Sequence, residues 1–411
     1  MTRLLFFISL ILCLLSFKGT AQNHNSAYIY GTITTDSDEQ YTGFMRWGKE
    51  EMYWFDIFNA EKDEQYKAPT KSDNSKGLLD IDWSLEGIWK DKYCHSCNVN
   101  HVFACMFGEI AQLRILRGDR AELTFKNGST IIVDDSNTND MGTSIQMIDY
   151  ELGKIKFDWD DISLVNFFAA PALAEPPYGS ALYGTVKTER RKKFTGYIQW
   201  DMDERSGEDI LDGDTKYGDQ KIPFEKISTI EKIHNGDAVN VTFESGRSLN
   251  LDGSNDCDDG NRGIGIYNPE IGTIEVEWEM FDNIQFQPAP MIDISYNDFG
   301  DANNLDVEIY TFDEESYKGT IAFDMDELWD FELLDGDDDE IKLKIPFRNI
   351  ANITPKNRNY SMITLLNGEQ LLLGDRQDVN DRNEGVIFLN GKHADLKIQW
   401  DDIDQIIFKT K

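Results

Sequence analysis

The sequence predicts an all-β protein made of three tandem copies of a small antiparallel β-barrel or sandwich unit, behind a cleaved signal peptide. Two observations carry this expectation. Apolar and polar residues alternate in Val239-Asn-Val-Thr-Phe243, Thr273-Ile-Glu-Val-Glu-Trp278 and Leu396-Lys-Ile-Gln-Trp400. Period-two alternation puts one strand face in a core and the other in water. Glycine turns such as Asn127-Gly128, Ser245-Gly246 and Asn367-Gly368 punctuate these runs. Turns every ~8–12 residues, with no long stretch of helical period, suit units of about seven to nine strands.

The N-terminus comes first in chain order. Met1-Thr-Arg3 precedes an apolar run from Leu4 to Phe17, and Lys18-Gly19-Thr20-Ala21 follows. A basic start, a short apolar run and small residues before a cut site read as a secretory signal over residues 1–21. The run is too short to span a bilayer comfortably, and no later segment is long and apolar enough to do so. Cys13 follows Leu10-Ile11-Leu12, whereas a lipoprotein signal wants a small residue there.

The repeated unit opens with Tyr30-Gly-Thr-Ile-Thr-Thr35 and Tyr41-Thr-Gly-Phe-Met-Arg-Trp47 in the first copy. The second copy has Tyr183-Gly-Thr-Val-Lys-Thr188 and Phe194-Thr-Gly-Tyr-Ile-Gln-Trp200. The third is looser, with Glu308-Ile-Tyr-Thr311 and Tyr317-Lys-Gly-Thr-Ile-Ala-Phe323. Acidic turns follow at Glu50-Glu51, Asp203-Glu204 and Asp326-Glu327. Next come Asp56-Ile-Phe-Asn59, Asp209-Ile-Leu-Asp212 and Glu332-Leu-Leu-Asp335. Each copy then carries an F-x-x-I-x-x-[IL] stretch, starting at Phe107, Phe224 and Phe347, and closes on Trp159-Asp160, Trp278-Glu279 or Trp400-Asp401. Recurrence of separate features in one order marks a repeat architecture.

Half of the ten prolines fall in residues 169–177 and 287–290, and proline-rich segments make stiff spacers. The units are therefore expected at 22–168, 178–287 and 300–408, joined by linkers 169–177 and 288–299, with an insertion over about 62–106 in the first. Units of this size can each bury a core. Gly196-x-Ile198-x-Trp200-Asp201, Leu211-Asp-Gly213, Leu251-Asp-Gly-Ser-Asn-Asp256 and Asn261-Arg-Gly-Ile264 resemble repeat units of exported bacterial proteins of unassigned function. The resemblance covers most of the chain after the signal and is clearest in the second copy. It implies a β-rich module and bacterial export, and brings no activity, substrate or catalytic residue.

Composition narrows the partners. The chain has 411 residues, with 75 acidic against 40 basic side chains and a formal charge of −35. Such a charge repels phosphate backbones and anionic headgroups, which argues against nucleic acid and lipid surfaces. The apolar fraction of 40% separates it from acidic disordered chains.

Two stretches could carry chemistry. The first is the loop with Asp252, Asp256, Asp258 and Asp259, a possible calcium site because hard cations take several oxygens. Its counterparts are Asp134–Asp140 and Asp375–Asn383. The spacing is not that of an EF-hand, and the alternative is a turn whose Asp and Asn side chains bond nearby backbone NH groups, with Arg262 as counter-charge. Asp335–Glu340 is a weaker acidic cluster. The second stretch is the insertion, with Trp83, Trp89 and the order Cys94-x2-Cys97-x3-His101-x3-Cys105. That order resembles a zinc knuckle with both later spacers one residue short. Close cysteines outside the cytoplasm form disulfides, and zinc is the alternative. Cys257 is either free or paired with Cys105.

No nucleophile elbow, zinc-protease helix, P-loop or dinucleotide fingerprint occurs. The recurring Trp-acid pairs read as core tryptophans beside solvated acids. The expected function is an exported, non-catalytic binding or structural module, periplasmic, surface-bound or secreted. Its partner would be a protein or an envelope or carbohydrate component, with Trp54, Trp83, Trp89 and Trp329 as conceivable stacking faces. The alternatives are a calcium-stiffened repeat protein and an exported hydrolase sited on the insertion.

Overall fold

The alternating runs are strands. In Tyr30-Gly-Thr-Ile-Thr-Thr35, Gly31, Ile33 and Thr35 turn inward and the residues between them stay half-exposed. The computed structural model describes residues 27–62, 102–118, 120–134, 140–171, 177–233, 236–290 and 294–409. Residues 1–21, read as a signal, lie outside them, as does 63–101. Every regular element among the described residues is a strand or a short 3-10 turn.

The first ten strands are β1 (Tyr30–Thr35), β2 (Gln40–Trp47), β3 (Ile57–Lys62), β4 (Val102–Met106), β5 (Ile110–Ile115), β6 (Arg120–Phe125), β7 (Thr130–Asp134), β8 (Ile145–Asp149), β9 (Gly153–Phe157) and β10 (Ile162–Phe167). They form an antiparallel sheet in the order β4-β3-β7-β6-β5-β10-β1-β2-β8-β9. The next ten are β11 (Tyr183–Thr188), β12 (Lys193–Trp200), β13 (Ile210–Thr215), β14 (Gly218–Pro223), β15 (Ile227–Ile233), β16 (Ala238–Phe243), β17 (Ser248–Asp252), β18 (Ile264–Asn268), β19 (Gly272–Val276) and β20 (Phe281–Phe286). The last ten are β21 (Leu305–Thr311), β22 (Ser316–Phe323), β23 (Leu333–Asp338), β24 (Ile341–Pro346), β25 (Ile350–Pro355), β26 (Tyr360–Leu365), β27 (Gln370–Gly374), β28 (Val386–Phe388), β29 (Lys397–Ile398) and β30 (Ile403–Phe408). The second set pairs as β14-β13-β17-β16-β15-β20-β11-β12-β18-β19, strand for strand the order of the first. The third does the same from β24 to β29. Register irregularities recur at matching places, at Thr34/Thr35, Lys187/Thr188 and Tyr310/Thr311.

Two expectations need correction. The sheets are open at both ends, so no unit is a closed barrel, and each has ten strands instead of about seven to nine. The missed strands are too short or too interrupted to show a period. β29 has two residues and β28 three, while β14 runs from a glycine to a proline. The insertion also ends earlier than expected. Val102–Met106 is β4, the counterpart of β14 and β24, so the extra residues sit within the β3–β4 hairpin.

The recurring aromatic residues meet in each core. Trp47 lies 5.3 Å from Phe107 and 6.1 Å from Trp159. Trp200 packs on Phe224, Trp278 and Phe281, and Phe323 on Phe347 and Trp400. The closing tryptophans are buried, and the acids after them are exposed.

The units are not beads on a string. β19 pairs with β24, joining the second and third sheets into one of twenty strands. Cross-strand ion pairs Glu275–Lys344 and Glu277–Lys342, each 2.7 Å, flank this ladder. The first unit docks through aromatic side chains. Phe55 stacks on Tyr267 at 4.2 Å, and Phe125 packs against Trp329 and Phe331. The second linker is itself seated. The Tyr296 hydroxyl donates to the Ile110 carbonyl at 3.1 Å, and Phe299 lies over Gly108, where any Cβ would strike its ring.

Candidate functional site

The site grows from the turn after the second strand of each unit. The turns read Trp47-Gly-Lys-Glu-Glu51, Trp200-Asp-Met-Asp-Glu204 and Phe323-Asp-Met-Asp-Glu327. Trp47, Trp200 and Phe323 each donate their NH to the carbonyl of the glutamate four residues on. The backbone is left-handed at Gly48, at Asp201 and Met202, and at Asp324 and Met325. Aspartate tolerates that region because its short carboxylate bonds locally. Asp201 takes the Arg262 NH at 2.6 Å, and Asp324 takes the Glu384 NH.

This turn places Glu51, Glu204 and Glu327 at the protein interior, close to Asp140, Asp256 and Asp378. Each aspartate clamps a neighbouring hairpin. Asp140 accepts from the Asn59 NH, Asp256 from the Asp212 NH and Asp378 from the Asp335 NH, all at 2.7 Å. Trp47 and Trp200 donate their indole NH to the Asp140 and Asp256 carbonyls. Burial and mutual repulsion disfavour ionisation here. Burial pushes Asp140 and Asp256 up to about 6, Asp324 to about 8 and Glu204 to about 10. Glu51, Glu327 and Asp378 rise well above the carboxylate range for the same reason.

Opposite charges tie one unit to another. Asp56, Asp209 and Glu332 hold equivalent positions, and each caps its own turn with one oxygen. The other oxygen meets a cation of a different unit. Asp56 pairs with Arg205, Asp209 with Arg46 at 2.7 Å, and Glu332 with Lys62 at 3.0 Å. Arg262 spans Asp203 at 2.9 Å, Asp201 at 3.5 Å and Glu50 of the first unit at 3.3 Å. Its counterpart Arg382 folds onto its own loop, donating to the Asp375 carbonyl.

Among the described residues, cavities open between the units, and two of them border the acids above. The larger, about 540 Å³, lies among the Glu50–Glu61 segment, Arg205, Arg262, Tyr267 and Lys344. The smaller, about 140 Å³, is lined by Lys62, Asp324, Asp326, Glu327, Asp335 and Asp378, among others.

The residues singled out by sequence are placed as follows. Asp252 and Asp259 are exposed, Asp256 is the buried clamp, and Asp258 takes the Gly260 NH at 2.9 Å. The four do not converge on one point. Among the described residues, the carboxylates close enough to share one cation are Asp201, Asp203 and Glu204, with ligand atoms within 4.8 Å of one another. The recurring Asp-Met-Asp-Glu string was the signal for this cluster, and the reading of repeated acids as solvated groups passed over it. Cys105 is buried in β4 and Cys257 in the second core, both as free thiols, so they do not pair with each other. Burial raises both thiols. Cys94, Cys97 and His101 lie outside the described residues, as do Trp83 and Trp89. Trp54 and Trp329 are core residues and offer no face to a carbohydrate. No disulfide occurs among the described residues. His393, the one described histidine, packs beside Tyr317 and Phe388. No described helix is long and apolar enough to cross a membrane.

No family model, curated protein or solved structure matches this chain.

Proposed function

We propose that this chain is an exported, non-catalytic repeat protein that serves as a binding or structural module of the cell envelope or extracellular space. The observation that supports this reading is the interlocking of the units. Buried cross-unit ion pairs, a shared strand ladder and stacked aromatic residues hold a cavity with charged and apolar lining residues between the repeats. Cavities where units meet are favoured places for ligands. Such an arrangement suits recognition by a rigid surface. The basic, then apolar, N-terminus supports export. The test is a fusion of residues 1–40 to a reporter active only after export. Activity outside the cytoplasm is expected, and a reporter that stays inside refutes the export and envelope location in this reading.

One observation favours a second reading, a calcium-stiffened array, with ligands other than those the loop spacing suggests. Asp201, Asp203 and Glu204 form the compact oxygen set. That reading requires the melting temperature to rise from EDTA to millimolar calcium and the rise to vanish in Asp203→Asn.

A further inference from the structure

The larger cavity has an unbalanced charge. Its lining carries three cations, and each is already paired. Arg205 is bound to Asp56, Lys344 to Glu275, and Arg262 to Glu50, Asp203 and Asp201. Two lining carboxylates remain. Glu51 is 7% exposed, and its side chain takes no hydrogen bond from an amide, hydroxyl or cation among the described residues. The acid beside it, Asp140, is 1% exposed, and its carboxyl group meets that of Glu51, so the two acids hold a proton between them. Glu61, at the end of β3, also lines the cavity, and its side chain has no partner among the described residues.

We propose that this cavity binds a small organic cation, an ammonium or guanidinium compound whose charge is met by Glu51 and Glu61. The inference rests on the binding-module reading above and names the ligand class for it. Size suits a small organic molecule, because about 540 Å³ is the scale of small-molecule sites. Charge excludes an anion, because every lining cation is matched. Ile57, Met202 and Ile266 line the same space and suit the carbon skeleton of such a ligand.

A linked proton follows from the surroundings of Glu51. The charged groups facing it are Glu50 on its own turn, Asp140 on the segment before β8, and Arg205 from the second unit. With two acids against one arginine that is bound to Asp56, the Glu51–Asp140 pair retains a proton when the cavity holds no cation. A bound cation displaces that proton, so binding strengthens as pH rises.

The experiment is calorimetric titration of residues 22–411 with agmatine, 1,4-diaminobutane and glucosamine, and with 1,4-butanediol and glucose as neutral counterparts. Saturable binding of at least one cationic probe, one per chain, with no heat from the neutral pair, is expected. Glu51→Gln and Glu61→Gln should each weaken it at least tenfold. Glu61 is the less buried of the two, so its variant decides the matter if Glu51→Gln does not fold. Absence of binding by all three cations overturns the proposal, as does binding unchanged in the variants. Saturation by calcium chloride that is lost in Glu51→Gln and Glu61→Gln but kept in Asp203→Asn, with none by the organic probes, assigns the cavity to a metal and also overturns the proposal. The reporter fusion separates the two readings. Export without cation binding sinks only the cavity's ligand, and cation binding without export sinks only the location.

Discussion

Arg205 shows how one side chain joins two repeats. Its guanidinium is buried against Asp56, whose other oxygen caps the Met52 and Tyr53 NH groups. Burial, helped by the like charge of Arg46, lowers the arginine to about 10 despite the surrounding tyrosine and carboxylates. The paired acid cannot follow the arginine out, because it is held by its own turn. Arg205→Ala therefore leaves a buried, uncompensated carboxylate, which costs about 3–5 kcal/mol. Urea denaturation checks this, and a loss below about 1 kcal/mol would show that water reaches Asp56. The pairing itself was not legible in the sequence. Arg205 replaces Met52 and Leu328 of the other copies, so only the deviation from the repeat marked it.

At the scale of elements, the ladder between β19 and β24 decides whether the second and third units move together. Gly272 opens β19 at φ +130°, and a Cβ there would lie 2.3 Å from the Lys344 carbonyl oxygen. Gly272→Ala strains the backbone and pushes on the facing strand, so a loss above about 1 kcal/mol is expected. Gly300 has neither a positive φ nor a neighbour within 4 Å. Gly300→Ala should stay within about 0.5 kcal/mol, as surface changes do. Equal melting temperatures for the two variants would show that the ladder contributes nothing. The individual strands were readable from alternation, and their order was not. Alternation reports which face is buried, while the partner of a strand depends on which distant chain reaches its edge.

At the scale of the molecule, the dominant electrostatic fact is a set of buried acids whose pKa values are raised on folding. Asp140 and Asp256 move to about 6, Glu109 to about 7, Asp324 to about 8 and Glu204 to about 10. Burial is the first cause in each. The folded state then binds more protons than the unfolded chain between pH 5 and 8, so stability falls as pH rises through that window. The melting temperature should climb on acidification from pH 8 to about 5.5. Acids with lowered values, such as Asp209 beside Arg46, reverse the trend only at lower pH, once they begin to be protonated. A flat profile in thermal melts would mean that the buried acids already have counter-ions at neutral pH.

Sequence alone determined the all-β class, because a period-two pattern and turn spacing are local properties of the chain. It also marked the recurring aromatic residues as core, since Trp47, Phe107 and Trp159 keep their order in each copy and meet in space. The proline-rich joints were read as spacers, yet Tyr296 and Phe299 of the second linker are docking side chains. Tertiary structure alone decided the site. Glu51, Asp140, Arg205 and Lys344 come from three different units, and their proximity depends on how the sheets pack. Whether an acid is solvated or buried without a counter-charge is likewise set by what covers it, and no local pattern records that.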